Sequence, residues 1–205
     1  MKKFYKSIQI SLPLILLTLL LTGCFNMNVY QTAPVLEKGE HITGVALDLI
    51  ASNGNSAPGS LELHYREGLG HNWDAGAKLY GAPGLFTGLA ADLKYQLVGP
   101  PFYVSSSVFS GVVNVSRDFE VEGGGMLLAG TKKFYSGYKL SFRDKVLDYN
   151  DNIDFINSDF LHNIFLGYRF GTGPYITPNI GLVFHKFHKN FLSNTFVLGL
   201  ALQFD

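Results

Sequence analysis

Cysteine, charge and catalytic signatures are all scarce in this sequence of 205 residues. One cysteine is present, so no intramolecular disulfide can form and packing and hydrogen bonds must hold the fold. Charged residues are 16% of the chain, against about 25% in ordinary soluble domains. The 16 basic residues equal the 16 acidic ones and form no long cluster, which excludes the charge balance of a nucleic-acid-binding protein. The sequence contains no GxSxG, HExxH, CxxC or phosphate-binding glycine motif.

Aromatic residues and glycine are abundant instead, with 17 Phe, 11 Tyr and 23 Gly. From His41 onward, apolar residues recur at every second position, and Gly, Pro, Asn or Asp interrupt the pattern at short intervals. This alternation predicts an all-β protein, an antiparallel up-and-down β-barrel of about ten strands. The stretches 102–113 and 119–131 alternate weakly, so about eight strands is the fallback.

The two faces of the expected strands differ in polarity. One face carries large apolar side chains, and the other carries glycine, alanine and charges of both signs. A soluble barrel would turn the charges outward, whereas a transmembrane barrel turns them into its lumen. The chain has too few charged residues to make the outer surface of a soluble barrel polar. The same charges are enough to form ion pairs inside a narrow lumen. We therefore predict a transmembrane barrel, with a soluble lipocalin-like periplasmic lipoprotein that binds an apolar ligand as the alternative.

The charges on the less apolar face are predicted to form a lumen network. Acids and bases are mixed in it, so ion pairs are expected to close the bore, leaving the function to the external loops. The predicted network comprises Asp48, Glu62, His64, Arg66, Asp74, Lys78, Asp92, Lys94 and Arg169.

The N-terminus has the organisation of an exported precursor. Lys2, Lys3 and Lys6 precede an apolar run over residues 8–21. The run ends at Leu21-Thr22-Gly23-Cys24, which resembles the lipobox of bacterial lipoproteins. The resemblance implies a signal peptide at 1–23, acylation of Cys24, a lipidated tether at 24–40 and a barrel domain at 41–205. Cleavage would leave 13 basic and 16 acidic residues, because the leader holds three lysines and no acid.

The C-terminal strand resembles the last strand that outer-membrane barrels present to their assembly machinery. Thr195–Phe204 is apolar at every second position, although Asp205 follows the closing aromatic residue. The stretch 66–76 is similar to a hairpin of small outer-membrane barrel proteins. Phe25, after the lipobox, replaces the Asp that commonly marks inner-membrane retention. The resemblance thus implies an outer-membrane location, with membrane lipid and the assembly machinery as partners.

A polar loop resembles a calcium-binding loop in its spacing. Its oxygen-bearing residues are Asp148, Asn150, Asn152, Asp154 and Asp159. Ile153 stands where such a loop needs glycine, and Asp159 replaces the bidentate glutamate. We therefore predict no metal site and no cofactor.

A lipid-modifying enzyme is the remaining alternative, because some small outer-membrane barrels use a His–Ser pair near their last strands. His185, His188 and Ser193 are the candidates, but Ser193 lies five residues beyond His188 across an expected turn. We therefore expect a barrel without enzymatic activity that has a structural, surface-interaction or small-solute role.

Overall fold

The computed structural model describes residues 29–52, 55–81, 86–115, 118–145, 159–185 and 195–205. Within these ranges the chain forms strands and turns, and no helix long and apolar enough to cross a membrane occurs there. The strands are β1 His41–Ser52, β2 Asn55–Gly70, β3 Trp73–Gly81, β4 Phe86–Val98, β5 Tyr103–Val115, β6 Asp118–Gly130, β7 Phe134–Lys145, β8 Asp159–Tyr168, β9 Tyr175–His185 and β10 Thr195–Phe204.

These ten strands form a closed barrel. Each strand pairs antiparallel with the next, and β10 pairs with β1 from Thr43 opposite Phe204 to Ser52 opposite Thr195. Closure satisfies the main-chain groups that an open sheet would leave unpaired at its edges. The predicted ten-strand, antiparallel up-and-down barrel is therefore confirmed.

The barrel is apolar outside and polar inside. Large apolar residues at outward positions expose between 37% and 63% of their surface, with Leu93 and Val108 at the two limits. Charged and polar residues such as Asp74, Lys94 and Gln203 are buried in the interior. Contact between this apolar outer surface and water would be unfavourable, whereas contact with membrane hydrocarbon is favourable. The polarity identifies a transmembrane barrel, as the alternation predicts.

Aromatic side chains form bands at both ends of the outer surface. At the end where β1 begins, Trp73 packs against Tyr95 with ring centroids 4.6 Å apart, and Tyr168 packs against Phe170 at 4.5 Å. Toward the opposite end, the exposed Phe142 and Phe160 lie on neighbouring strands. Aromatic rings suit the boundary between hydrocarbon and headgroups, so these bands mark the two limits of the membrane-spanning region.

Short turns gather at the end where β1 begins and β10 ends, which we call the short-turn end. They comprise residues 71–72, 99–102, 131–133 and 169–174. In the tightest of them, His71 and Asn72 have φ angles of 53° and 66°. At the opposite end the described strands stop and resume around residues 53–54, 82–85, 116–117, 146–158 and 186–194, which the structure does not describe.

Two segments of loop-like composition, 51–60 and 114–119, lie mostly within strands. β1 and β2 are separated only by 53–54, and β5 and β6 only by 116–117. The β1–β2 register changes between Leu47 and Leu49, which pair with Leu61 and Pro58. This bulge absorbs one extra residue, so strand pairing continues past Pro58 and Gly59.

The first described residues enter the barrel. Residues 24–40 are expected to be a tether, but residues 29–36 lie inside the bore at the short-turn end, and we call these eight residues the lumen segment. Val29, Tyr30 and Ala33 are buried, and Ala33 has no exposed surface. Apolar side chains and a chain of main-chain carbonyls therefore fill space that the barrel wall leaves open.

Candidate functional site: the barrel lumen

A four-residue charge cluster occupies the wall beside the lumen segment. Arg66 on β2 binds Asp74 on β3 and Asp92 on β4, and Lys94 Nζ lies 3.1 Å from Asp74 Oδ2. Gly76 makes room for the guanidinium, because a Cβ there would lie 2.5 Å from Arg66 Nη2. Opposite charges on adjacent strands thus neutralise each other along the wall, while the lumen segment spans the bore.

A second group contains three further members of the predicted network. His64 Nδ1 lies 3.2 Å from Glu62 Oε1, and Lys78 Nζ lies 3.8 Å from Glu62 Oε2. The other two predicted residues lie elsewhere. Asp48 accepts hydrogen bonds from Tyr30 and from Ser60 Oγ, the latter at 3.0 Å. Arg169 lies at the short-turn end, where its Nη2 donates to Gln203 Oε1 at 3.4 Å.

A third group is absent from the network predicted from sequence. Glu122 accepts hydrogen bonds from Tyr80 OH at 2.5 Å and from Arg143 Nη2 at 3.3 Å. Arg143 Nη1 also lies 3.4 Å from Glu120, and Lys139 Nζ lies 4.6 Å from the Phe109 ring centroid. The run Gly123–Gly125 hides the alternation of β6, which would otherwise place Glu120 and Glu122 on the lumen face. Their spacing of two residues is the available signal.

The lumen segment is held mainly through its main-chain carbonyls. Lys94 Nζ donates to Thr32 O at 3.1 Å and to Pro34 O at 2.9 Å. The remaining bonds run from Ser105 Oγ to Ala33 O, from Tyr135 OH to Val29 O at 3.0 Å, from Asn179 Nδ2 to Val29 O at 2.6 Å and from Gln203 Nε2 to Tyr30 O at 2.9 Å. Donors on β4, β5, β7, β9 and β10 thus converge on one short stretch of main chain.

Two wall side chains accept hydrogen bonds from main-chain N–H groups of the segment. Gln96 Oε1 accepts from Val35 N at 3.2 Å, and Asp74 Oδ2 accepts from Leu36 N at 3.1 Å. Asp74 therefore links the lumen segment to the four-residue charge cluster. Because buried polar groups need partners, these wall side chains give the segment a defined path across the bore.

Free space lies on both sides of the lumen segment. A small cavity of about 50 Å³ separates the segment from the wall charges, among them Glu62, Lys78 and Lys139. A vestibule of about 1040 Å³ opens at the short-turn end and is lined by residues 34–42 and the neighbouring turns. The segment therefore separates a small polar cavity from an open mouth.

Other predicted sites lie outside what the structure describes. Cys24, the loop from Asp148 to Asp154, His188 and Ser193 belong to undescribed ranges, and so do the side chains of Asp159 and His185. In the described part of the chain, no three His, Cys, Asp or Glu side chains are grouped to hold a metal ion.

No protein-family model matches the sequence, and no curated protein is similar to it. The barrel resembles solved structures at low identity. The KdgM porin, solved in complex with disordered oligogalacturonate, is 11% identical, with a TM-score of 0.42 over 79% of this chain and 98% of that one. The NanC porin is 13% identical, with a TM-score of 0.39 over 78% and 98%. The translocator domain of the autotransporter NalP from Neisseria meningitidis is 8% identical, with a TM-score of 0.32 over 80% and 87%.

Proposed function

We propose that this protein is a lipid-anchored β-barrel of the bacterial outer membrane with a small-solute role, and that the lumen segment keeps its bore closed. The membrane-facing exterior supports the location, because closed barrels with this polarity are the β-structures that span a membrane. The lipobox-like sequence at Cys24 supports the anchor, and the amphipathic pattern of β10 supports recognition by the assembly machinery.

One observation carries the small-solute role. At the short-turn end, the side chains of the barrel wall do not fill the bore. The lumen segment occupies part of the space that remains. Barrels of about eight strands are filled by their side chains, whereas about 16–18 strands leave a wide aqueous channel. A ten-stranded barrel lies between these sizes, so its bore becomes a narrow polar passage once the segment is removed.

The alternatives fit less well. A soluble barrel that binds an apolar ligand needs an apolar interior, but the described lumen is lined by charged and amide side chains. A lipid-modifying enzyme would depend on His188 and Ser193, which lie outside the described residues. A purely structural role does not need a polar bore, and the conductance experiment distinguishes it from a solute role.

Deletion of residues 29–36 is expected to convert a closed barrel into a conducting one. The parent protein in planar bilayers should show rare current steps, and the deletion variant should show stable ones, because the partition between bore and vestibule is gone. A deletion variant that folds as a barrel and remains silent would contradict the small-solute role. Deletion of eight residues from within 146–158 controls for the same loss of chain length.

The Cys24→Ser variant tests the anchor separately. Acyl chains contribute about 0.8 kcal/mol per buried methylene, so several chains make attachment effectively permanent. We expect the variant to incorporate no labelled palmitate and to keep residues 1–23, as seen by gel mobility and intact mass. Labelling and cleavage that persist in the variant would rule out the lipobox. Because the barrel itself spans the membrane, barrel protein without lipid should remain in the membrane fraction.

A further inference from the structure

The lumen segment is bound to the wall as a ligand would be, through hydrogen bonds from side chains to its main chain. In the described residues, main-chain pairing with the wall starts only at Gly39, whose N–H donates to Gly68 O at 3.0 Å, and at Glu40, whose carbonyl accepts from Gly68 N at 2.9 Å. The part of the segment in the bore is therefore not a strand of the sheet. It can leave without breaking the strand pairing of the barrel.

The connection between segment and barrel is a tight turn with a flexible residue. Glu40 N donates to Glu37 O at 3.0 Å, and Gly39 has a φ of 85°, in the left-handed region that glycine enters readily. A Cβ at Gly39 would meet no atom within 4 Å, so the turn is open on that side, while the carbonyl of Glu37 packs over Gly68 on the other. The turn also borders the vestibule, which offers volume into which the segment can swing.

Tyr30 is the side chain that fixes the segment deepest in the bore. Its hydroxyl donates to Asp48, and its ring stacks on His64 with centroids 6.1 Å apart and planes 10° apart. The other described hydrogen bonds between the wall and the segment use main-chain atoms of the segment, which every residue type supplies. Val29 and Ala33 add apolar packing against wall residues such as Phe165. Tyr30 is therefore the side chain whose hydrogen bond and ring contact set the register of the closed position.

We infer that the lumen segment is a releasable plug that swings about the turn at residues 37–39 into the vestibule, and that the Tyr30–Asp48 contact is the anchor that sets how often it leaves. This inference rests on the proposed small-solute role, and it adds the means by which the bore opens. The donors on five strands of the wall position the plug across the bore, and the Tyr30–Asp48 contact sets the equilibrium between its closed and open positions.

The test is single-channel recording of the full-length lipidated protein in planar bilayers. Tyr30→Phe removes one hydrogen bond to a charged group and keeps the ring on His64, so the open fraction should rise about tenfold or more. Asp48→Asn should act in the same direction by a smaller factor, because the amide oxygen still accepts the bond. Tyr65→Phe is the matched control, since it removes a tyrosine–carboxylate bond, to Glu67 at 3.0 Å, on the outer surface. Its open fraction should equal that of the parent.

Folding of each variant is checked by the gel-mobility shift that separates folded barrel from heat-denatured chain. If Tyr30→Phe and Asp48→Asn are folded and open no more often than the parent, the releasable plug is wrong, even where the 29–36 deletion conducts. If the deletion variant is silent, the solute role itself fails. The two results are distinct, so each hypothesis can be rejected independently of the other.

Discussion

Replacing Arg66 by methionine is expected to destabilise the barrel by about 3–5 kcal/mol, the range for breaking a buried ion pair from one side. Arg66 is the cation shared by Asp74 and Asp92. Methionine fills a similar volume but leaves two buried carboxylates, of which Asp74 keeps its contact with Lys94 and Asp92 loses its only ion-pair partner among the described residues. The free energy of unfolding, measured by urea titration of the protein in lipid vesicles, should fall accordingly.

Lys78→Met provides the matched comparison. Lys78 Nζ lies 3.8 Å from Glu62, and its side chain retains 17% exposure against 9% for Arg66, so we expect a smaller loss than for Arg66→Met. An equal loss in both variants would contradict the central role of Arg66. The double variant Arg66→Met, Asp92→Asn should recover part of the lost stability, because Asp74 and Lys94 then remain as a pair and no charge in the cluster is left without a partner.

Strand number and strand faces could be predicted because alternation is a local property. In β10, Leu198, Leu200 and Leu202 are exposed on the outer surface, while Ala201 and Gln203 are buried in the lumen. The period of two residues that strand geometry imposes is visible directly in that stretch. The membrane location of the apolar face also follows from the sequence, since too few charges are available to cover an exterior.

The lumen segment could not be predicted, because it obeys no period. Its carbonyls are bound by side chains distant in sequence: Gln203 follows Tyr30 by 173 positions, and Asn179 follows Val29 by 150. Every residue type has a main-chain carbonyl, so the sequence does not reveal which carbonyls accept these hydrogen bonds. The polar composition of residues 25–40 is equally compatible with an external tether, and only the closed barrel shows which donors those residues meet.

Some lumen residues were hidden by glycine and serine. Ser105 and Ser107 are both buried on the inner face of β5, but the run of three serines there reads the same on either face. Gly123, Gly124 and Gly125 have the same effect on β6, which is why Glu122 was missed. Where residues on both faces are small, the register comes from pairing with neighbouring strands and not from local pattern.

Replacing Leu200 by arginine is expected to impair assembly of the barrel. Leu200 lies in the middle of β10, pairs with Leu47 and Pro178, and exposes 55% of its surface on the outer face. Arginine at the midplane of a membrane costs about 2–4 kcal/mol on the lipid face of a β-barrel. Folding into lipid vesicles, followed by the gel-mobility shift, should show a reduced folded fraction and a reduced free energy of unfolding.

Two controls separate lipid exposure from general sensitivity of this strand. Leu200→Ile keeps the volume and the apolar character, so it should fold as the parent does. Ala201→Ser changes the adjacent residue, which is buried on the lumen side beside Tyr30 and Ala46, and adding one hydroxyl there should cost less than placing a charge in hydrocarbon. If Leu200→Arg and Leu200→Ile fold equally well, the apolar face does not contact hydrocarbon. If Ala201→Ser lowers the folded fraction more than Leu200→Arg does, the lipid face and the lumen face of β10 have been exchanged in this assignment. Since the side chain of Leu200 lies on the outer face and not in the lumen, its effect on stability should be independent of whether the plug is closed.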